Sequence, residues 1–305
     1  MLSLNRILCP VDFSDASQHA IDHALAVARW YGARITALHA CGPRRGSGST
    51  GAEREPAIDL ECVEARRLGT EVVAAFHAAH AMGVDVDVVV HAGHPVTEIL
   101  ECAVSTSADL IVMGTHGSGG FEHLVLGSVT EKVLRKAGCP VFTVPPRVRA
   151  TSALPFRRLL CAVDFSPSSD RALEFACSLA QQSKAGVTLL HVLEWPWHEP
   201  PAPAFDEIPH EQAVQLIEFR RQSEERTIDR LDALVPDAVR DMCPVVTRFA
   251  HGKPYVEILR IAAEEGADAV VLGVQGRNPL DLTLLGSTTN QVVRRASCPV
   301  LTVRR

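Results

Sequence analysis

The chain alternates short apolar runs with longer amphipathic stretches. Arg6–Val11 is a compact apolar run, the signature of a strand buried on both faces. Ser14 stands where a helix N-cap belongs, the helix runs to about Tyr31, and Gly32 ends it. Ala33–Ala40 reads as a second strand, followed by a Gly/Ser-rich loop over Gly42–Pro56 and a helix from about Ala57 to Met82. Strand Asp85–His91, helix Pro95–Ser105, strand Asp109–Gly114, helix Ser128–Ala137 and strand Pro140–Val144 complete the series. Such alternation predicts an α/β fold with a doubly wound, mainly parallel sheet, and ligands held outside the carboxyl ends of its strands.

The whole series occurs twice. Ile7-Leu8-Cys9-Pro10-Val11-Asp12-Phe13-Ser14 returns 152 positions on as Leu159-Leu160-Cys161-Ala162-Val163-Asp164-Phe165-Ser166, and His39 returns as His191. Gly93-His94-Pro95-Val96-Thr97-Glu98-Ile99-Leu100 returns 159 positions on as Gly252-Lys253-Pro254-Tyr255-Val256-Glu257-Ile258-Leu259. Cys139-Pro140-Val141-Phe142-Thr143-Val144 returns at that wider offset as Cys298-Pro299-Val300-Leu301-Thr302-Val303. The second copy has therefore gained residues in its middle. Copies of this size are two tandem domains of five strands each, residues 1–146 and 157–305, joined by a linker over 147–156 within the Pro- and polar-residue-rich stretch Pro145–Pro155. In the second copy Ser166-Pro167 sets Pro at the first helical position, where its fixed φ suits the helix.

Composition narrows the function class. The 305 residues are 47% hydrophobic and 22% charged, the balance of a globular chain. Aromatics are only 5%, so Val, Leu, Ile and Ala must build the cores. A net charge of -6 leaves no broad basic surface, which argues against nucleic acid as a partner. Nine scattered cysteines without a CxxC pair suit a reduced compartment. No signal-peptide pattern opens the chain, and apolar runs such as Leu110–Met113 are too short to cross a bilayer. The expectation is a cytoplasmic protein with no membrane partner.

The strongest chemical signal follows the fourth strand of each copy. Gly114-Thr115-His116-Gly117, nine residues, then Gly127-Ser128-Val129-Thr130 matches Gly273-Val274-Gln275-Gly276, nine residues, then Gly286-Ser287-Thr288-Thr289. Glycines let backbone N–H groups approach phosphate oxygens, and the closing Gly-Ser opens a helix whose free amides and dipole favour an anion. The dipole contributes only about 0.3–1 kcal/mol when exposed, so several amides and hydroxyls must act together. The competing reading is that the glycines only shape a strand-to-helix crossover; the same spacing in two diverged copies favours phosphate. Asp12 and Asp164, at the end of each first strand, can accept from a ribose hydroxyl or the adenine edge, or can cap the following helix.

These motifs resemble those of the universal stress protein family in its tandem two-domain form. The resemblance rests on Pro10-Val11-Asp12-Phe13-Ser14, the two G-x2-G-x9-G-S loops and Cys139-Pro140-Val141, and covers nearly the whole chain outside Gly42–Pro56 and Trp195–Glu211. It implies an adenine nucleotide alpha-hydrolase-like, Rossmann-like fold that binds ATP, ADP or AMP, with or without Mg. Pro10, Val11 and Asp12 would then line the adenosine pocket, and Ala40 or Cys41 would touch the base. Met113, Gly114, Thr115 and Gly117 would pass beneath ribose and phosphate, and Gly127, Ser128, Val129 and Thr130 would hold the phosphates. The second set would be Ala162, Val163, Asp164 and Val192, then Leu272, Gly273, Val274 and Gly276, then Gly286, Ser287, Thr288 and Thr289. The first copy is the fuller match, since Ala162, Val274 and Gln275 replace Pro10, Thr115 and His116, although Arg277 can add a cation. The resemblance also implies pairing of the modules through their last strands as an intramolecular pseudo-dimer, with homodimerisation open. The implied role is a nucleotide-dependent stress or signalling module; a nucleotide-independent dimerisation or chaperone-like scaffold and a slow ATPase or nucleotidyl-transfer enzyme are the alternatives.

Other patterns carry less. Gly46-Ser47-Gly48-Ser49-Thr50-Gly51 matches G-x-G-x-x-G, but Pro56 delays the helix that a dinucleotide fingerprint needs. There is no Walker loop. His19/His23 and His77/His80 have helical spacing without a four-ligand zinc pattern, so no metal site is expected. Cys9, Cys161, Cys139 and Cys298 read as strand residues that fill core space. Trp195-Pro196-Trp197-His198-Glu199-Pro200-Pro201 reads as a surface insertion. His116 is the one candidate proton-transfer group beside a loop, against a structural hydrogen bond within it; catalytic residues are otherwise absent, and turnover of ATP is expected to be slow or nil.

Overall fold

The computed structural model describes residues 4–42, 57–116, 126–146, 156–194, 210–275 and 285–304. In the first copy β1 (Arg6–Pro10), α1 (Asp15–Tyr31), β2 (Arg34–Cys41), α2 (Ala57–Ala75), α3 (Ala79–Met82), β3 (Val86–Ala92), α4 (Pro95–Ser105), β4 (Leu110–Gly114), α5 (Ser128–Lys136) and β5 (Val141–Val144) follow in order. The second copy repeats the series as β6 (Arg158–Ala162), α6 (Pro167–Ser183), β7 (Gly186–Leu193), α7 (His210–Leu234), α8 (Asp237–Arg240), β8 (Val245–His251), α9 (Pro254–Glu265), β9 (Ala269–Gly273), α10 (Ser287–Arg295) and β10 (Val300–Val303).

The two five-stranded halves form one ten-stranded sheet in the order β3-β2-β1-β4-β5-β10-β9-β6-β7-β8. Within each half every pair is parallel. The halves meet through β5 and β10, which run antiparallel with Leu301 opposite Phe142. The last strands thus pair as the resemblance implied, and Thr143 and Thr302 reinforce the seam by donating their hydroxyls to the carbonyls of Val300 and Val141, at 3.1 and 3.2 Å.

Side chains alternate between the faces. Ile7 and Cys9 enter a core with α1, α2, α6 and α7, while Leu8 enters the other with α4, α5, α9 and α10. The first core runs unbroken across the seam through Phe142, Phe156, Phe175 and Leu301. In each half the chain leaves the first strand toward one side of the sheet and returns on the other. The resulting switch points lie between β1 and β4 and between β6 and β9, where an α/β sheet opens a crevice.

Local chemistry explains most boundaries. Ser14 and Ser166 cap α1 and α6 by accepting from the amides of Ser17 and Ser169. Gly32 takes the left-handed conformation, φ 65°, that ends α1. Two expectations are corrected. The helix drawn from Ala57 to Met82 is broken after Ala75, where the amides of His77 and Ala79 bond three residues back to Ala74 and Phe76 while Phe76 and Ala79 bury their side chains. Cys139 and Cys298 lie half-buried in turns rather than on strands, because Pro140 and Pro299 have no N–H for the ladder and the strands start after them. Cys9 and Cys161 are buried on strands as expected. Every described cysteine is a free thiol, and burial pushes Cys9 up to about 12.

Candidate functional site

The site begins with a strained turn. Phe13 and Phe165 have φ of 61° and 62°, the left-handed region that a bulky residue rarely adopts. On either side, Asp12 Oδ1 accepts from the amide and hydroxyl of Ser14 at 3.1 and 2.6 Å, and Asp164 Oδ1 accepts from the amide of Ser166 at 3.0 Å. His39 and His191 brace the turn from the neighbouring strand. Their Nδ1 atoms lie 2.8 and 2.7 Å from the carbonyls of Val11 and Val163, so Nδ1 must carry the proton. Their rings lie tilted against Phe13 and Phe165, with centroids 4.7 and 4.6 Å apart and planes at 39°. The repeat marked these histidines; their bracing role needed the fold.

The second half of the site is the loop end entering α5 or α10. The amide of Gly127 donates to the carbonyl of Thr115 at 2.9 Å, and that of Gly286 to Val274 at 2.9 Å. Thr115 and Val274 are themselves tied to the last strands, donating to Val144 and Val303 at 3.0 and 2.9 Å. The first intrahelical bonds run from Glu131 to Gly127 and from Asn290 to Gly286. The amides of Ser128, Val129 and Thr130, and of Ser287, Thr288 and Thr289, precede them and have no acceptor within the helix. Three amides converging at a dipole's positive end form an anion cradle.

Two site residues serve the loop differently from the expectation. Thr130 and Thr289 are buried, and their hydroxyls donate to the carbonyls of Gly114 and Gly273 at 2.9 and 2.8 Å. Those protons lock the strand end to the helix start instead of facing a phosphate. Gly114 and Gly273 lack a Cβ for packing reasons. A Cβ at Gly114 would stand 2.9 Å from the backbone of Ala16, and one at Gly273 would stand 2.8 Å from the backbone of Ser168. Gly127 differs, because a Cβ there would approach the Thr115 carbonyl to 3.2 Å at the mouth of the cradle.

In the second copy these parts enclose a cavity of about 500 Å³. Ala162, Val163 and Asp164 form one wall, Val192 and Leu272 the floor, and Gly273 with Gly286, Ser287, Thr288 and Thr289 the loop side. Val274 is buried behind the loop and does not line it. The sequence reading missed Ser169, Glu194, Pro254 and Ile258, all of which line the cavity. Pro254 and Ile258 sit in the repeated Gly-x-Pro segment, a signal that was visible but had no assigned chemistry. In the first copy the two base candidates follow one another at the end of β2. Leu38 faces the core beside α4 and His39 lies against Phe13 on the opposite side, while Ala40 and Cys41 correspond at the 152-residue offset to Val192 and Leu193, both of which line the second-copy cavity. Pro10 ends β1 and is half-buried, Val11 is buried, and Met113 is buried at the end of β4.

Gly117, Gly276 and Arg277, and the loops over 43–56 and 195–209, lie outside the described residues. His116 Nδ1 lies 2.8 Å from the Thr115 hydroxyl, a bond within the loop. The described cavity lining holds Asp164 and Glu194 and no Lys or Arg, so amides and dipole must supply the anion affinity there. Among the described residues no three His, Cys, Asp or Glu side chains gather as metal ligands, and no helix is long and apolar enough to cross a membrane.

Comparison with known proteins agrees with this architecture. The model of the universal stress protein family matches residues 3–145 and again 155–304. The chain is similar to a universal stress protein of Mycolicibacterium smegmatis, 27% identical over 303 residues, covering 98% of this chain and 96% of that one. It is also similar to one from Methanocaldococcus jannaschii, 35% identical over 140 residues, covering 46% of this chain and 81% of the relative. Among solved structures, a universal stress protein from Archaeoglobus fulgidus matches the fold with a TM-score of 0.67 at 24% identity, covering 99% of this chain and 97% of that one.

Proposed function

The chain belongs to the universal stress protein family, and on that premise we propose that each copy is an adenine-nucleotide-binding module. Residues 1–146 and 157–305 are the two modules, with 147–156 as linker. The observation that carries the reading is the cavity of about 500 Å³ at the β6/β9 switch point, closed on one side by the free amides of Ser287, Thr288 and Thr289. Its size falls within the roughly 300–1,000 Å³ typical of small-molecule sites.

The residues suit a nucleotide in three ways. Val192 and Leu272 offer an apolar floor for a base, Asp164 offers a carboxylate for ribose hydroxyls, and the α10 amides offer donors to phosphate. The same backbone bonds position Asp12, Gly127 and Ser128 in the first copy. ATP is the nucleotide we assign, with ADP or AMP sharing its base and ribose contacts, and Mg accompanying the phosphates as their counter-ion. No paired acid and base stands beside the cradle among the described residues, so the module senses nucleotide and hydrolyses it slowly or not at all. Its role is a cytoplasmic stress or signalling switch, in which occupancy biases partner binding or self-association.

Isothermal titration of the full chain with ATP tests this. Saturable binding that weakens in Gly127→Ala and in Ser287→Ala variants is the expected result. The absence of any binding heat at millimolar ATP would remove the proposal.

A further inference from the structure

A second hollow lies on the opposite face of the sheet in the second copy. Along β7, Leu190 and Val192 line the nucleotide cavity, His191 points to the other side, and Leu193 at the strand's end borders both hollows. There His191, Phe165 and Leu193 face Phe219, Gln222, Ser223, Arg226, Thr227 and Arg230 of α7 across a hollow of about 250 Å³. The α7 residues recur three and four apart, so they form one stripe of the helix. The end of that helix is anchored in the core by fully buried Leu231, with Val235 just beyond it. Above Leu231 the stripe becomes polar and cannot close against the sheet.

The first copy shows what a closed version looks like. At the 159-residue offset, Leu68 stands in place of Thr227 and is buried. Glu71 stands in place of Arg230, and Arg67 in place of Arg226. Arg67 is neutralised by Glu71 at 2.5 Å and by Glu64 at 4.0 Å. The second copy has exchanged an apolar plug and an internal ion pair for space and positive charge.

The charge there is unbalanced. Arg226 and Arg230 line the hollow, and no carboxylate does so among the described residues. Glu224 and Glu225, on the same turns of α7, are engaged by His251 at 2.8 Å and Arg221 at 2.6 Å. Arg230 lies over the Phe165 ring, 3.9 Å from its centroid, a cation–π contact that orders it without a carboxylate. Phe219, 61% exposed, presents a second ring face at the rim. The volume lies below the range of drug-sized ligands, so the occupant is small.

We propose that this hollow binds a small aromatic carboxylate, its ring against Phe219 and its carboxylate on Arg226. A planar guanidinium meets a carboxylate with two parallel hydrogen bonds, the strongest pairing available to these residues. The site lies on the other face of β7 from the nucleotide cavity and shares with it only Leu193, at the end of the strand.

Ligand-detected NMR on the full chain, with benzoate and its neutral analogue benzamide as probes, tests the proposal. Benzoate saturates a site that ATP does not displace, and benzamide binds it about tenfold more weakly, as loss of a charge-assisted pair requires. Arg226→Gln weakens benzoate by about the same factor. Thr227→Leu restores the first-copy residue, fills the hollow and abolishes binding, while thermal unfolding shows the fold intact. The proposal fails if benzoate does not saturate at tens of millimolar or benzamide binds equally well. It fails equally if ATP displaces benzoate or if both substitutions leave benzoate binding unchanged.

Discussion

The hydroxyl of Thr130 donates to the carbonyl of Gly114 at 2.9 Å, joining the first turn of α5 to the last residue of β4. Thr289 and Gly273 repeat the bond at 2.8 Å. Thr130→Val keeps the shape and leaves a buried carbonyl without its donor, which costs about 1–3 kcal/mol. Denaturant unfolding should show that loss, and Thr130→Ser should recover most of it. A Val variant as stable as the parent would mean the bond does not hold the loop.

Gly114 and Gly127 lack a Cβ for different reasons, and Ala substitution separates them. Gly114→Ala drives a Cβ to within 2.9 Å of the Ala16 backbone, an overpacking expected to cost about 1–3 kcal/mol. Gly127 has φ -56° and ψ 135°, which any residue can adopt. Gly127→Ala should therefore lose little stability and mainly weaken nucleotide binding. Paired measurements of unfolding and ATP titration on both variants check this; equal stability losses would refute it.

The β5–β10 seam predicts self-recognition by the halves. Residues 1–146 and 157–305 produced separately each expose a last strand and part of the core that Phe142 and Leu301 share. Mixed, they should elute from size exclusion as a one-to-one complex. Persistently separate species would show that the seam contributes little.

His23 predicts a pH dependence. It is buried on α1, its Nδ1 lies 2.8 Å from the His19 carbonyl, and its Nε2 has no hydrogen-bond partner. Burial lowers its pKa below the ordinary 6.5. The folded state holds the ring neutral while the unfolded chain protonates it, so stability falls as pH drops below 6.5 toward the lowered value. The unfolding midpoint should decline as the pH falls below 6.5. The decline should be shallower in His23→Phe, which places there the residue found at Phe175 in the second copy. An unchanged pH slope in that variant would rule out His23 as the cause.

Much of the fold was legible along the chain. Apolar runs marked all five strands of the first copy, and Ser14 and Gly32 marked the ends of α1, because period and capping are local properties. The break after Ala75 was not legible, since it depends on burying Phe76 and Ala79 against strands far away in sequence. Gly286-Ser287 announced a helix start. That the Thr289 hydroxyl turns inward was invisible, because its acceptor lies across the loop on Gly273.

The sequence alone determined the duplication, the alternating α/β pattern and the two glycine-rich loops, because each is written in spacing and residue type. The tertiary structure decided which strands join the halves, that the Thr130 and Thr289 hydroxyls turn inward, and that a hollow separates α7 from the sheet above Leu231. These outcomes rest on contacts between distant residues, where packing volume and hydrogen-bond partners choose among arrangements that the local pattern allows equally.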